Sequence, residues 1–248
     1  MARGVLLEDL TWIEAEGVLT PTSIVVLPIG ASAKEHGPHL KLKNDWTLAE
    51  YWKRQVLERA EVVVAPTIGF HFYPAFTEYP GSISLRLETA RDLVIDICRS
   101  LARFGPRRFY ALNTGVSTVR ALAPAAGALA AEGVLLRYTD IGALLDPIKK
   151  KICEQEGGTH ADESETSMML VIDPTSVDMS RAVKDFCSDR PGGLTRDPAG
   201  PGTYSPTGIW GDPTLASVAK GEALVNAFLD GLLRDIEALR AADLPGLA

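Results

Sequence analysis

Two hydrophobic patterns alternate along this chain. Four short, almost continuously apolar runs are rich in β-branched residues, and they lie at Ile24–Ile29, 62–68, 108–112 and 134–138. Because neither face of such a run is polar, the runs predict strands that are covered on both sides. Between and after them, apolar residues recur every three to four positions, which predicts helices at 45–60, 89–104, 121–132, 164–170 and 215–242.

This alternation of strands and helices is typical of a mostly parallel sheet with helices on both faces. The sequence shows no internal repeat, and we predict a single domain over residues 1–248. Glycine and proline are concentrated at 189–213, which predicts a long ordered loop or lid before the last helix. Ligands in such sheets bind beyond the carboxyl ends of the strands.

Composition adds constraints on partners and location. The 248 residues, 46% hydrophobic and 23% charged, suit one large domain with a substantial core. A net charge of −7 without a basic block argues against nucleic acid, and no apolar stretch approaches the ~18 residues of a membrane span. Cys98, Cys153 and Cys187 are widely spaced and odd in number, which predicts buried thiols. These features favour a cytoplasmic enzyme with a small-molecule substrate.

The segment that follows the first apolar run carries the densest group of candidate metal ligands. Residues 35–45 contain Glu35, His36, His39 and Asp45, and they include two of the four histidines of the chain. Imidazole and carboxylate are the usual ligands of Zn²⁺, Mn²⁺ and Fe²⁺. A single histidine near a strand end is more often a hydrogen-bonded polar group, but this concentration makes a metal site an equal alternative.

A second cluster, His-Ala-Asp-Glu-Ser-Glu-Thr-Ser at 160–167, is typical of a helix start. Asp162 or Ser164 would serve as its cap. Capping does not explain His160, which could carry a proton, and the same helix start could present Glu165 as a ligand.

Two further segments carry aromatic or imidazole side chains. Around 203–213, Trp210 could form a wall of a substrate pocket, whereas Asp212 is explained as the cap of the last helix. His71 follows the second apolar run, and we interpret it as a partly buried structural residue because nothing nearby supplies a second ligand.

In this order, four segments resemble motifs of the creatininase (creatinine amidohydrolase) family, and the resemblance covers about residues 5–240. Residues 27–45 are similar to the family's Leu-Pro-Val-Gly-Ser-x-Glu-Gln-His-Gly-Pro-His-Leu-Pro-Leu-x-x-Asp, and residues 80–85 to its Pro-Gly-Thr-Ile-Ser-Leu. Residues 160–167 and 208–214 resemble its His-Ala-Gly-x-x-Glu-Thr-Ser and its late Gly-Val-x-Gly-Asp-Pro.

The resemblance implies a three-layer α/β/α fold, often a homohexamer, and metal-assisted hydrolysis of C–N bonds in cyclic amides, formamides or small peptides. Members typically bind two divalent ions that share a bridging aspartate, whose place Asp45 takes. His36 takes the place of a ligand of one ion, and Glu165 that of an acidic ligand. His160 falls where the family has a catalytic histidine.

The chain departs from the family pattern at two ligands of the other ion. With the motifs aligned on His36, Lys34 stands at the place of a glutamate ligand, and Glu35 takes that place only if one extra residue is allowed after Gly30. After the central strand, Gly115 stands where the family has a histidine. Because both losses affect one ion, the ammonium of Lys34 could replace its charge.

We therefore predict one divalent ion per chain, Zn²⁺ or Mn²⁺ with Fe²⁺ as a further candidate, bound by His36, Asp45 and Glu165. A coordination position of the ion that the protein leaves open would hold the nucleophilic water. His160 would protonate the leaving group, and the 189–213 loop with Trp210 would cover the substrate.

Other interpretations remain open. A two-ion site would use Glu35 on the first ion, with Asn113 or His39 completing it, and we also place both of these residues near the substrate. Alternatively, the pocket could open a cyclic ketone or lactone of a sugar or inositol derivative, with Lys34 as a base or an amine nucleophile. A third interpretation is a degenerate family member that binds a metabolite without catalysis. The retained motifs argue against it, because a protein that only binds would not need them.

Overall fold

The apolar runs of the sequence form a parallel sheet at the centre of the protein. The computed structural model describes residues 2–186 and 193–246. The strands in this part of the chain are β1 (Val5–Leu6), β2 (Ile24–Ile29), β3 (Val63–Val64), β4 (Arg108–Asn113), β5 (Leu135–Tyr138), β6 (Leu194–Thr195) and β7 (Thr203–Tyr204). The first five form one sheet in the order β1–β3–β2–β4–β5, and every pairing in it is parallel.

Strand β2 lies at the centre of this sheet, and all six of its residues are buried. It pairs with β4 over its full length, from Ile24 opposite Arg108 to Ile29 opposite Asn113. Helices cover both faces of the sheet, which explains why the β2 sequence is apolar without alternation. The predicted parallel sheet is confirmed.

The helices form the two outer layers of a three-layer α/β/α fold. They are α1 (Trp12–Val18), α2 (Asn44–Arg59), α3 (Leu87–Ala102), α4 (Val119–Ala130), α5 (Ile141–Ile152), α6 (Glu163–Ile172) and α7 (Val218–Arg240). Successive residues of β2 enter different cores: Val26 belongs to the core that includes residues of α2, α5, α6 and α7, whereas Val25 belongs to the core that includes residues of α1, α3 and α4. None of the helices in the described part combines the length and the apolar character needed to cross a bilayer.

Some predicted elements differ from the observed ones. The run at 62–68 forms only the two-residue strand β3 and an isolated bridge between Ile68 and Ile29, because Pro66 cannot donate a ladder hydrogen bond. Helices α1 and α5 were not predicted. Helix α1 nevertheless begins with a capping box between Thr11 and Glu14, which is a recognisable sequence signal.

Two smaller predictions need correction. Asp212 does not cap the last helix: its side chain caps the short 3₁₀ turn Pro213–Leu215, and Ser217 caps α7. Of the three cysteines, Cys98 is buried as predicted and Cys153 is half-exposed, whereas Cys187 lies outside the described residues.

Helices α6 and α7 approach each other closely at Gly221. A Cβ atom at this position would lie 2.7 Å from the carbonyl carbon of Ser167 and 2.7 Å from a methyl group of Val171. We expect Gly221→Ala to lower the free energy of unfolding by about 1–3 kcal/mol, because α7 must move away from α6. Urea unfolding followed by circular dichroism would measure the change.

The matched control is Gly127→Ala in α4, where an added Cβ meets no atom within 4 Å. That substitution should leave stability unchanged or raise it by up to about 1 kcal/mol through helix propensity. Equal effects of the two substitutions would contradict the close contact.

Candidate active site

The candidate ligands meet at the carboxyl end of β2, where α2 begins. Helix α2 passes close to this strand end at Gly30. A Cβ atom added to Gly30 would lie 2.7 Å from the Cβ atom of Ala49. The absence of a side chain at Gly30 therefore lets the first turn of α2, with Asp45, approach the loop that carries His36. Glu165 reaches the same point from the first turn of α6, whose N-cap is Asp162.

His36 presents one ring nitrogen to two carboxylates. Its Nδ1 lies 2.9 Å from the carbonyl oxygen of Lys34, so Nδ1 carries a proton and donates it there. Its Nε2 lies 2.8 Å from Asp45 Oδ1 and 3.4 Å from Glu165 Oε1. An imidazole nitrogen in this position requires either a second proton or a cation between it and the carboxylates.

Electrostatics at this point favour positive charge. Burial, the largest single effect, lowers the pKa of His36, but the charges of Asp45 and Glu165 and the hydrogen bond to Asp45 together outweigh it and raise the pKa to about 9. Burial opposes ionisation of Asp45 and Glu165 as well, yet Lys34 and His36 lower the pKa of Asp45, and His36 lowers that of Glu165. Without a metal, the site therefore holds a proton on His36 at neutral pH.

Glu165 is held in place by donors on two sides. The side-chain amide of Asn44 donates to its Oε1 at 2.8 Å, and the backbone N–H of Ala161 donates to its Oε2 at 2.7 Å. Ala161 adopts the left-handed conformation, with φ of 48°, which is uncommon for a residue with a side chain. Asp162 caps α6 by accepting the backbone N–H of Glu165, so the cap holds the backbone from which this carboxylate extends.

His160 lies beside this group. Its ring contacts those of His36 and Phe76 in a tilted geometry, with centroid distances of 4.9 and 4.3 Å. Its Nε2 lies 2.7 Å from Glu35 Oε1, and its Nδ1 lies 3.9 Å from Glu165 Oε2. One ligand atom each of His36, His160 and Glu165 falls within 4.8 Å of the others, so His160 is also placed where a metal ligand could be.

Lys34 reaches the opposite side of Asp45. Its Nζ lies 2.7 Å from Asp45 Oδ2, and the side chain is almost fully buried. The ammonium is 4.7 Å from the centroid of the Phe76 ring and 5.6 Å from that of Tyr73, which are favourable cation–π distances.

The group borders a cavity of about 350 Å³. Its charged edge includes Lys34, Asp45, His160 and Glu165. Its apolar walls are formed mainly by Leu48, Phe76, Val116, Leu145, Met168, Leu194 and Trp210. Part of the predicted loop at 189–213 therefore does line the cavity, whereas its residues 189–192 lie outside the described part of the chain.

Three predicted site residues occupy other positions. Asn113 is fully buried, and its side chain binds the backbone of Gly115 and the hydroxyl of Thr118. His39 Nε2 lies 2.9 Å from Thr166 Oγ1. Neither residue is among those that line the cavity. The carboxylate of Glu35 contacts His160 instead of the His36–Asp45 pair, which differs from its predicted place as a metal ligand.

The sequence interpretation missed Asn44, Tyr73 and Phe76. Asn44 adjoins Asp45 and carried no separate signal. The aromatic residues stand in an unusually aromatic segment at 70–76, directly after the second apolar run, and that concentration was an available signal.

The comparison with known families decides the classification. The model of the creatininase family, described as creatinine amidohydrolase, matches residues 8–236. The chain belongs to the creatininase family.

Individual relatives have diverse described activities. The mycofactocin precursor peptide peptidase of Mycobacterium tuberculosis is 31% identical over 224 residues, which cover 86% of this chain and 84% of the relative. Creatinine amidohydrolase of Pseudomonas putida is 28% identical, covering 94% and 96%. The 3-dehydro-scyllo-inosose hydrolase of Thermotoga maritima is also 28% identical, covering 98% and 87%.

Solved creatininase structures share the fold. A manganese creatininase superposes with a TM-score of 0.82 at 24% identity, covering 96% of this chain and all of the other. A Zn–Zn form of a creatininase variant gives a TM-score of 0.79 at 25% identity, covering 96% and 98%.

Gly115, where the motif resemblance implies a histidine, lies near an aromatic ring in this creatininase-family chain. A Cβ on Gly115 would lie 3.4 Å from Tyr73 Cε1. The Tyr73 hydroxyl is buried without a hydrogen-bond partner among the described residues, and burial together with Asp45 raises its pKa, which keeps it protonated. Gly115 and Lys34, the two departures from the family pattern, thus both adjoin Tyr73.

His71 lies apart from the charged group. It is fully buried, and neither ring nitrogen has a hydrogen-bond partner among the described residues. Burial lowers its pKa to about 4. This position agrees with a structural residue, although the side chain is more completely buried than predicted.

The buried His71 should make stability depend on pH. Its pKa is lower in the folded chain than the ordinary value of 6.5, so the unfolded chain binds more protons below pH 6.5. Stability contributed by the neutral ring is present above pH 6.5 and is lost as the pH falls towards 4. The loss should reach about 2 kcal/mol at pH 5.

Urea unfolding of the metal-free protein between pH 7.5 and 4.5 would measure this dependence. His71→Phe should show a shallower decline by about that amount, whatever its absolute stability. An unchanged slope would contradict a buried neutral His71.

Proposed function

We propose that this creatininase-family protein is a metal-dependent hydrolase that cleaves a C–N bond of a small, cyclic amide. The proposal rests chiefly on His36, whose Nε2 is turned towards the carboxylates of Asp45 and Glu165 at the edge of a cavity. His36, Asp45 and Glu165 would hold one divalent ion, Zn²⁺ or Mn²⁺, since imidazole and carboxylate suit both. The family's solved structures include forms with either metal.

The donor set fits one ion better than two. Lys34 Nζ already lies 2.7 Å from the second carboxylate oxygen of Asp45, where a bridging aspartate would need a second cation. Glu35, the other carboxylate that could serve such an ion, is engaged by His160. An ammonium and a divalent ion at the same carboxylate oxygen would repel each other strongly in this buried environment. We therefore propose that Lys34 takes the electrostatic role of the second ion.

The bound ion would supply a water of lowered pKa and polarisation of the substrate carbonyl. The protein's own residues account for the remaining steps. Asn44 and the Ala161 N–H keep Glu165 fixed, while Phe76 and Trp210 shield the reacting group from bulk water. His160 borders the cavity and would carry a proton to the leaving nitrogen.

The cavity supports a small substrate with a compact apolar body. A volume of about 350 Å³ with mostly apolar walls suits a five- or six-membered ring whose carbonyl points to the charged edge. Creatinine, the substrate named for the Pseudomonas relative, is a five-membered ring with one carbonyl, although its ring is more polar than these walls.

A second candidate is hydrolytic opening of a cyclic ketone or lactone. The inosose hydrolase relative, which matches 98% of this chain, favours it. In the ion pair with Asp45, Lys34 is an ammonium without a free lone pair, so this route would use the same water rather than an imine. Assays with creatinine, hydantoin, short peptides and δ-lactones would distinguish the substrate classes.

Metal analysis tests the one-ion site. After incubation with excess Zn²⁺ or Mn²⁺ and desalting, we expect one equivalent per chain by plasma mass spectrometry. Two equivalents would contradict the role of Lys34, and no binding together with no activation would contradict metal dependence.

A variant pair sharpens this test. Lys34→Met removes the ammonium next to Asp45, so affinity for the divalent ion should rise or a second equivalent should bind. Lys43→Met, at an exposed position of the same loop, is the control and should leave metal binding unchanged.

Two substitutions separate the ligands from the proton carrier. Asp45→Asn should lose both metal and turnover. His160→Gln should retain the metal while kcat falls by about 10²–10⁴, the usual contribution of a general acid. Release of the ion by His160→Gln would instead make His160 a ligand, which its distance from His36 and Glu165 also permits.

A further inference from the structure

Glu35 contacts the ring of His160 in a way that fits only one of the two neutral tautomers of this histidine. His160 Nε2 lies 2.7 Å from Glu35 Oε1 and 3.1 Å from the backbone carbonyl oxygen of the same residue. Both atoms are acceptors, since the carboxylate sits within a network of donors. A lone pair on Nε2 would face two oxygen atoms, so this nitrogen must carry a proton. The lone pair of the neutral ring then belongs to Nδ1.

The carboxylate that imposes this pattern is itself held rigidly. Glu35 Oε2 accepts the N–H of Gly37 at 2.8 Å, and the Glu35 backbone N–H donates to Ser82 Oγ at 2.9 Å. The side chain is only 7% exposed. Two oxygens of one residue therefore contact the imidazole from a fixed position.

The loop at 208–210 leaves room for this carboxylate and also pairs with His160. Gly208 has a φ of 82°, and a Cβ there would lie 2.6 Å from Glu35 Cδ. Two residues later, the N–H of Trp210 donates to the carbonyl oxygen of His160 at 2.9 Å. One loop thus fixes both partners of the Glu35–His160 pair.

We propose that Glu35 is a positioning residue that keeps the proton of His160 on Nε2 and thereby assigns proton transfer to Nδ1. In the reaction, which rests on the proposed hydrolase function, Nδ1 takes the proton lost by the attacking water and passes it to the leaving nitrogen. The bond to that nitrogen breaks as the proton arrives, and Nδ1 is left with its lone pair. Glu35 acts through His160 and contacts no reacting atom.

Nitrogen NMR of histidine-labelled protein tests the assignment without any substrate. Long-range ¹H–¹⁵N spectra of the metal-free and zinc-loaded protein should show a protonated Nε2 in His160, with its signals identified by their loss in His160→Gln. In Glu35→Ala only the carbonyl at 3.1 Å remains as an acceptor, and we expect a mixture of tautomers. A His160 protonated on Nδ1 alone in the neutral wild-type ring would overturn the proposal.

Kinetics give a second, independent readout. On whichever substrate of the panel is hydrolysed, Glu35→Ala should lower kcat by about 10–100-fold with KM changed less than about threefold, as is usual for partners that orient a functional histidine. Glu35→Gln, whose amide oxygen can still accept, should recover part of the loss. Metal content should stay at the wild-type value, and loss of metal in Glu35→Ala would identify a ligand instead.

Gly208→Ala offers a test that leaves Glu35 in the sequence. The added methyl group displaces the carboxylate, so kcat should fall as in Glu35→Ala, and the double variant should be no slower than Glu35→Ala alone. Gly133→Ala is the matched control, because Gly133 has a similar φ of 72° but lies beyond the end of α4. Full kcat in Gly208→Ala would contradict the proposal.

The two proposals fail in different ways. If no amide, peptide or lactone is hydrolysed, the proposed function is wrong, yet the NMR experiment still decides the role of Glu35. If hydrolysis occurs but the Nε2 proton is absent, the function stands and the positioning role falls.

Discussion

Burial of three carboxylates in one small volume is the constraint on which the site depends. Glu35, Asp45 and Glu165 converge at the end of one strand, and carboxylates this close cannot all remain ionised without compensating positive charge. Each has a cationic or polar partner: Lys34 for Asp45, His160 for Glu35, and His36 with backbone and amide donors for Glu165. Under the two proposals, these partners divide the cluster into the Lys34–Asp45 ion pair, an oriented imidazole at His160 and a binding place for one divalent ion.

The fold supplies this arrangement through close approaches of backbone segments. Gly30 allows α2 to reach the end of β2, and Gly208 allows the late loop to reach Glu35. Ala161, in the left-handed region, is held there at a cost of roughly 1–2 kcal/mol. Its N–H donates to Glu165, so the strained backbone lies next to the carboxylate that we propose as a metal ligand. The charged groups of the site do not extend into the core of the sheet, because β2 is apolar up to its last residue.

Sequence patterns predicted the layers of the fold better than its local details. Periodicity and the uniform apolar character of Ile24–Ile29 were sufficient for a parallel sheet between helices, because burial on both faces leaves a direct signature in composition. The two-residue strand β1 was not predicted, since two residues carry no period, and the apolar run at 62–68 predicted the position of β3 but not its short length. Asp212 was misassigned because an aspartate before a proline fits either a 3₁₀ turn or a helix start, and only the chain path decides between them.

Within the site, local motifs located His36, Asp45, His160 and Glu165, and the structure brings all four together. The position of Glu35 could not be derived in the same way. Whether its side chain points to the metal ligands or to His160 depends on the loop path after Gly30 and on a glycine more than 170 positions away in the sequence. For Asn113, the sequence predicted a role near the substrate that the structure does not place there. A polar residue at a strand end can stabilise the following loop as readily as it can bind a ligand, and the Asn113 side chain bonds to Gly115 and Thr118 of that loop.

The ring of Tyr73 beside Gly115 restricts which substitutions this site can accept. Restoring a histidine at 115 would bring its Cβ to 3.1 Å from a methyl group of Thr118 and 3.4 Å from the tyrosine ring. Restoring an acid at 34 alone would leave the Asp45 carboxylate facing a second buried negative charge. If Lys34 takes the place of an ion as proposed, each of these substitutions is therefore unfavourable without the other. Under that proposal, a two-ion site would be recovered only by changing positions 34 and 115 together.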